Sequence, residues 1–111
     1  MSYASLKFVD YQNATGRTAI YPADKGIEYC VLGLTNEAGE VAGVLKKHYR
    51  DGTPTAELKD KLAKEIGDVL WYVSQLCAEI GIPMAYVAQA NLDKLQDRQA
   101  RGVLGGSGDN R

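Results

Sequence analysis

Residues 26–80 hold two long stretches of helical periodicity divided only by "RDGTPT" at 50–55, and this arrangement constrains the fold more than any other feature of the chain. At about 100° per residue, Ile27, Cys30, Val31, Leu34, Ala38, Val41, Ala42 and Leu45 gather on one arc of the first stretch. Leu58, Leu62, Ile66, Val69, Leu70, Val73, Leu76, Cys77 and Ile80 form the arc of the second. Gly52 suits the left-handed conformation that follows helix ends, Pro54 suits a first turn, and Thr53 or Thr55 offers a cap. Two such helices with so short a connection return antiparallel, arc against arc.

The flanking sequence adds shorter elements. "YASLKFVDYQNA" predicts a helix over about 3–14 closed by Gly16, and the irregular segment "GRTAIYPADKG" follows it. "GIP" at 81–83 ends the second long helix, and Pro83 opens a last helix reaching about 101. Four glycines in 102–108 exclude regular structure from the tail. No strand-like alternation and no internal repeat appears. The expected fold is all-α, an antiparallel bundle of about four helices forming one domain over 1–111, with a flexible tail from about 102. The apolar arcs are wide enough to leave surface for a partner subunit, so completion of the bundle as a homodimer or homotetramer is expected.

Charge and hydropathy narrow the function class. A net charge of −1 offers no field to attract nucleic acid or an anionic membrane. No apolar run approaches the roughly 20 residues that span a bilayer, and "MSYASLKFVD" lacks a signal-peptide pattern. Cys30 and Cys77 match no metal or redox spacing and fall on the apolar arcs, which predicts buried thiols and a cytoplasmic location.

Glu37 and Glu40 lie at the flank of the first arc, the second of them about 60° further round. Glu65 and Asp68 stand in the same relation to the other arc. Packing the arcs together lets both acid-x-x-acid pairs line one groove, where mutual repulsion and burial favour protonation unless a cation intervenes. A divalent ion of the Mg²⁺ or Mn²⁺ type, which takes hard oxygen ligands, answers that need. Surface ion pairs are the competing explanation for Glu65 and Asp68, because Lys61 and Lys64 precede them by four residues. Glu37 and Glu40 have no lysine at the corresponding positions, so that explanation fails for them.

"LGLTNEAGEVAGVLKKHYRDG", then "LAKEIGDVLWYVSQL" and "NLDKLQDR", resembles the MazG-like all-α nucleoside triphosphate pyrophosphohydrolases. The family mark, E-x-x-E on one helix and E-x-x-D on the next, is matched by Glu37, Glu40, Glu65 and Asp68. "YQNATGRTAIYP" and the ending "GVLGGSGDNR" are like those of small single-domain bacterial and phage members. Asn36 departs from the acid that many members carry there. The resemblance implies hydrolysis of a (deoxy)nucleoside triphosphate to the monophosphate and pyrophosphate, dependent on Mg²⁺ or Mn²⁺, in control of nucleotide pools. Either Glu37 or Glu40 is then the acceptor of the water's proton. Neighbouring readings are a dimeric dUTPase-like enzyme, a phosphoribosyl-ATP pyrophosphohydrolase, or a helical interaction module without activity.

Substrate phosphates beside an acidic face need cations. Lys47 shares the side of Glu40, whereas Lys46 points elsewhere. Asn91, Lys94 and Arg98 share a helix face and resemble the family's Asn-x-x-Lys element with its trailing Arg. Tyr72, one turn after Asp68, resembles an aromatic that lies by the nucleotide, while Trp71 reads as pointing away into packing or an interface. Gln12 is a candidate to read a base edge and Tyr21 to stack on a base.

Overall fold

The computed structural model describes residues 2–111; Met1, the first residue of the domain read from sequence, lies outside them. A 3-10 turn at Tyr3–Ser5 precedes α1 (Phe8–Thr15), α2 (Gly26–Asp51), α3 (Thr55–Glu79) and α4 (Met84–Ala100), and no strand occurs among the described residues. The fold is all-α with four helices, as the periodicity requires.

One boundary differs from expectation. The helix expected over about 3–14 is broken at Leu6 and Lys7, whose backbones are extended (ψ 119° and 158°). It restarts because the Lys7 N–H donates to the Asp10 carboxylate at 3.3 Å, satisfying a donor at the helix start. The other ends fall near their local signals, except that neither Thr53 nor Thr55 caps α3, whose N-cap is Pro54 with no side-chain hydrogen bond. Gly52, with φ 71°, closes α2 and donates to the His48 carbonyl at 2.8 Å. At the end of α3, Gly81 is left-handed; its N–H donates to the Ala78 carbonyl and that of Ile82 to the Cys77 carbonyl. This paired arrangement satisfies the last carbonyls, and it recurs after α4 at Gly102 and Val103.

α2 and α3 pack along each other, α1 lies on α3, and α4 packs on α1 and α3. Cys30, Cys77 and Met84 are buried, and both cysteines are free. Burial raises the pKa of both thiols, which keeps them protonated; for Cys30 it outweighs the hydrogen bond to Tyr21. Beside them runs a buried polar seam. Gln75 Nε2 donates to Thr15 Oγ1 at 2.8 Å, and Thr15 Oγ1 lies 2.7 Å from Ser74 Oγ. Tyr21 donates to Gln75 Oε1 at 3.0 Å and also to the Glu79 carboxylate. These bonds lock α1 and the 16–25 segment onto α3, because each buried polar atom would be costly if unpaired.

Much of both apolar arcs stays open to solvent. Ile66 is 55% exposed and Ile80 49% exposed, and Ile27, Val31 and Leu45 are exposed too. The accessible surface is 7991 Å² for a chain of 12.1 kDa, against about 6,000 Å² for a folded monomer of that mass. The radius of gyration is 16.8 Å, where about 13 Å is usual for this length. No helix among the described residues is long and apolar enough to cross a membrane.

Candidate active site

Glu37 of α2 and Glu65 and Asp68 of α3 each place one carboxylate oxygen within 4.8 Å of the others. The antiparallel packing brings them together, since residues at the flanks of two facing arcs border the same groove. Close approach at this level depends on Gly33. A Cβ there would lie 2.6 Å from Cδ1 of Tyr72 and nearer still to Cε1 and Cζ, so the Tyr72 ring rests on bare α2 backbone. Gly39 and Gly43 differ, because a Cβ at either would meet nothing within 4 Å.

The three carboxylates have no cationic partner among the described residues. Lys61 pairs with Glu57 at 3.0 Å and Lys64 with Asp60 at 3.4 Å, so both lysines turn toward the start of α3. The surface ion pairs that would have explained Glu65 and Asp68 are thus absent. Burial raises the pKa of Glu37 most, and the charges of Asp68, Glu65 and Glu40 raise it further. Convergent hard oxygen donors on two rigid helices, with no lysine or arginine among them, fit a divalent cation. Glu40 is exposed and stands outside the group of three. It lies about 60° further round α2 than Glu37 and lines neither cavity beside the carboxylates, though its charge acts on Glu37.

One side of the cluster opens into a cavity of about 340 Å³ lined by Thr18, Ile20, Tyr21, Tyr29, Glu37, Asp68, Trp71 and Tyr72. Tyr21 stacks on Tyr29 with centroids 5.0 Å apart, and Trp71 meets Tyr72 edge-on at 5.0 Å. The indole N–H of Trp71 donates to Thr18 Oγ1 at 2.8 Å. Trp71 therefore lines the cavity instead of pointing away from the acidic face. The cause is the 16–25 segment, which folds across α3 and builds a wall that a helical wheel of α3 does not contain. Tyr21 and Tyr72 both reach this cavity. A second cavity, of about 280 Å³, borders Glu65 and includes Lys47.

The remaining sequence candidates lie elsewhere. Gln12 spends both amide atoms on the start of α4: Nε2 donates to the Ile82 carbonyl at 3.2 Å, and Oε1 accepts the Met84 N–H at 2.8 Å. Asn91, Lys94 and Arg98 sit on α4, and none of them lines either cavity beside the carboxylates. Lys94 pairs with Asp109 at 3.4 Å. Arg98 is buried and donates to the Asp109 carboxylate at 3.2 Å and its carbonyl at 3.1 Å. The hydrogen bond from Arg98, joined by Lys94, holds the Asp109 carboxyl below its ordinary pKa. Arg111 is engaged with carbonyls of Val103, Leu104 and Gly108.

Sequence reasoning missed Tyr29, Thr18, Ile20 and Tyr11. Burial raises the Tyr11 phenol pKa and the charge of Asp68 adds to it, so α1 also borders the acidic group. Trp71, three residues after Asp68, is as close along the helix as Tyr72 at four, and that spacing was the available signal.

No solved structure matches the chain significantly. The Gene 37 protein of Mycobacterium phage L5 is similar to it, with 48% identity over 109 residues, covering 91% of this chain and 96% of that protein. The family described as the MazG nucleotide pyrophosphohydrolase domain matches residues 25–103, a span that takes in the acidic group, most of the aromatic cavity and α4. With α2, α3 and their carboxylates all inside that match, the chain belongs to the MazG nucleotide pyrophosphohydrolase family.

Proposed function

We propose that this protein hydrolyses (deoxy)nucleoside triphosphates to the monophosphate and pyrophosphate with Mg²⁺ or Mn²⁺ at Glu37, Glu65 and Asp68. The observation that carries the reading is the meeting of three unpaired carboxylates from two helices beside an aromatic cavity large enough for a nucleobase. A bound divalent ion supplies charge neutralisation for the polyphosphate and a more acidic water. The chain's own residues do the rest. Tyr21, Tyr29, Trp71 and Tyr72 offer faces for the base, and stacking of this kind tolerates any base. Glu40, exposed and one turn from Glu37, is the carboxylate assigned in this reading to take the proton of the attacking water. Rigid positioning and charge placement suffice for phosphoryl transfer, which asks little covalent chemistry of the protein.

The working form in this proposal is an oligomer. The chain exposes about 2,000 Å² more than a folded monomer of its mass should, above the roughly 800 Å² per partner of an ordinary stable interface. Lys94, which lines neither cavity beside the carboxylates of its own chain, reaches a site only if another copy presents α4 to it. A panel of nucleotides incubated with Mg²⁺ or Mn²⁺ tests the activity. Release of pyrophosphate is expected, and folded protein that releases none from any triphosphate refutes the proposal.

A further inference from the structure

Asp68, Tyr72, Gln75 and Glu79 follow one another at i, i+4, i+7 and i+11 on α3 and so share one of its faces. That face begins at the acidic group, meets the aromatic cavity at Tyr72, and ends at Glu79, roughly 16 Å from Asp68 at 1.5 Å per residue. Glu79 is thus too far along the helix to join the carboxylates, and it does not line the cavity. Its carboxylate has no basic partner among the described residues. It accepts from the Tyr21 hydroxyl, alongside Gln75 Oε1, which lies 3.0 Å from the same hydroxyl. On its other side the carboxylate rests on Gly26, the buried first residue of α2. A Cβ on Gly26 would lie 2.5 Å from Oε1 of Glu79 and nearer still to Cδ and Oε2. The start of a helix carries free N–H groups and the positive end of its dipole, which suits a carboxylate placed there.

We infer that Glu79 is a positioning residue for the nucleotide base, acting through the Tyr21 hydroxyl and kept in place by the bare backbone of Gly26. This rests on the nucleotide-hydrolase reading and adds to it a residue outside the cavity that fixes the cavity wall. Tyr21 stands between two single 3-10 turns, Gly16–Thr18 and Ala23–Lys25, so side-chain bonds must hold it on α3. Its ring stacks on Tyr29 at 5.0 Å and meets Trp71 edge-on at 6.4 Å. Where Tyr21 sits therefore sets how two other aromatic residues of the cavity are packed. Its single hydroxyl proton is spent inward on Glu79 and Gln75, so Tyr21 shows a ligand its ring and no donor. Burial and then the hydrogen bond to Glu79 raise the Tyr21 pKa, which keeps that proton in place at neutral pH. A wall of this kind selects for a flat ring and not for one base.

Gly26→Ala separates positioning from simple support. Gly26 is already helical (φ −57°, ψ −48°), and the atoms a Cβ would displace are the free end of a flexible side chain. The variant should melt close to wild type, yet raise KM for a triphosphate about fivefold or more with kcat changed less than about twofold. Glu79→Ala should raise KM in the same way, and Gly26→Ala added to it should raise KM no further, since both act by one path. Glu79→Gln keeps an acceptor oxygen and should restore most of the wild-type KM. Tyr21→Phe keeps the ring without its hydroxyl and should match or exceed Glu79→Ala. Ser74→Ala loses the bond to Thr15 in the same buried seam, and should lower the melting temperature while leaving KM unchanged. Trp71, the one tryptophan of the chain, gives a reading independent of turnover. Adenosine monophosphate should quench its fluorescence in wild type, at about fivefold higher concentration in Gly26→Ala and Glu79→Ala. Active wild type with both variants within about twofold of its KM overturns the positioning role alone, as does a fall in kcat without a rise in KM. Wild type that neither hydrolyses a triphosphate nor shows quenching overturns the functional reading together with it.

Discussion

Gly33→Ala tests how the site is seated. The added Cβ would lie 2.6 Å from Cδ1 of Tyr72, with two further ring carbons closer, so the ring must move. Overpacking of this kind costs about 1–3 kcal/mol, and replacing a mid-helix glycine by alanine returns about 1 kcal/mol. The net loss is then about 0–2 kcal/mol, a fall in melting temperature of up to roughly 8 °C for a chain of this size. The functional effect is larger. Tyr72 has Trp71 at 5.0 Å and Tyr29 at 6.3 Å, so the ring yields toward the cavity beside Glu37 and Asp68. Loss of a stacking face is worth about 1–3 kcal/mol per base, or a rise in KM of about 5- to 150-fold. Gly43→Ala is the contrast, since its Cβ meets nothing within 4 Å. It should stabilise by about 0.4–1 kcal/mol and leave KM unchanged. Calorimetric melting and steady-state kinetics on both variants read these effects. Adding Tyr72→Ala to Gly33→Ala should cancel the stability cost, a coupling of about 1 kcal/mol or more between residues in contact. If Gly33→Ala behaves like Gly43→Ala in melting and in KM, the seating of Tyr72 on α2 is wrong.

Mn²⁺ at a hundred times its dissociation constant should stabilise the protein by about 2.7 kcal/mol, roughly 10 °C in melting temperature. Glu65→Gln or Asp68→Asn should abolish that shift and raise the melting temperature of the metal-free protein by relieving repulsion. Glu40→Gln should lower kcat about 100-fold or more while leaving the Mn²⁺ shift intact; loss of the shift as well would make Glu40 a ligand instead of a base. Asp109 has a pKa lowered by Arg98 and Lys94, so its contribution to tail docking is present above the ordinary value of 3.8 and is lost as pH falls through the lower folded value. Carboxyl NMR titration should show that low midpoint in wild type and a midpoint nearer 3.8 in Lys94→Ala. Mixing inactive Asp68→Asn with inactive Lys94→Ala subunits should restore roughly a quarter of wild-type turnover if sites are shared across a dimer. No recovery after confirmed subunit exchange would place Lys94 outside the partner's site.

What the sequence determined by itself is local. The break at Gly52 and Pro54 and the one at Gly81 and Pro83 are legible because left-handed glycine and proline act on their own backbone, whatever surrounds them. The two acidic pairs are legible because helical spacing alone sets their angle to the apolar arcs. The direction of the lysine pairs in α3 was legible too, by a rule easy to overlook: an acid four residues before a lysine is the better orientation, so Glu57 and Asp60 outcompete Glu65 and Asp68. Tertiary structure decided the remainder. Which three of the four acids meet depends on how α2 and α3 face each other, and a 60° turn removes Glu40 from the group. Gln12 is drawn to Ile82 and Met84, some 70 residues away, by an unsatisfied helix start that no local pattern announces. Trp71 became a wall of the cavity only when Thr18 and Tyr21 were laid across α3. A wheel describes one helix in isolation, and a binding groove is made of the surfaces that two helices and a crossing segment leave between them.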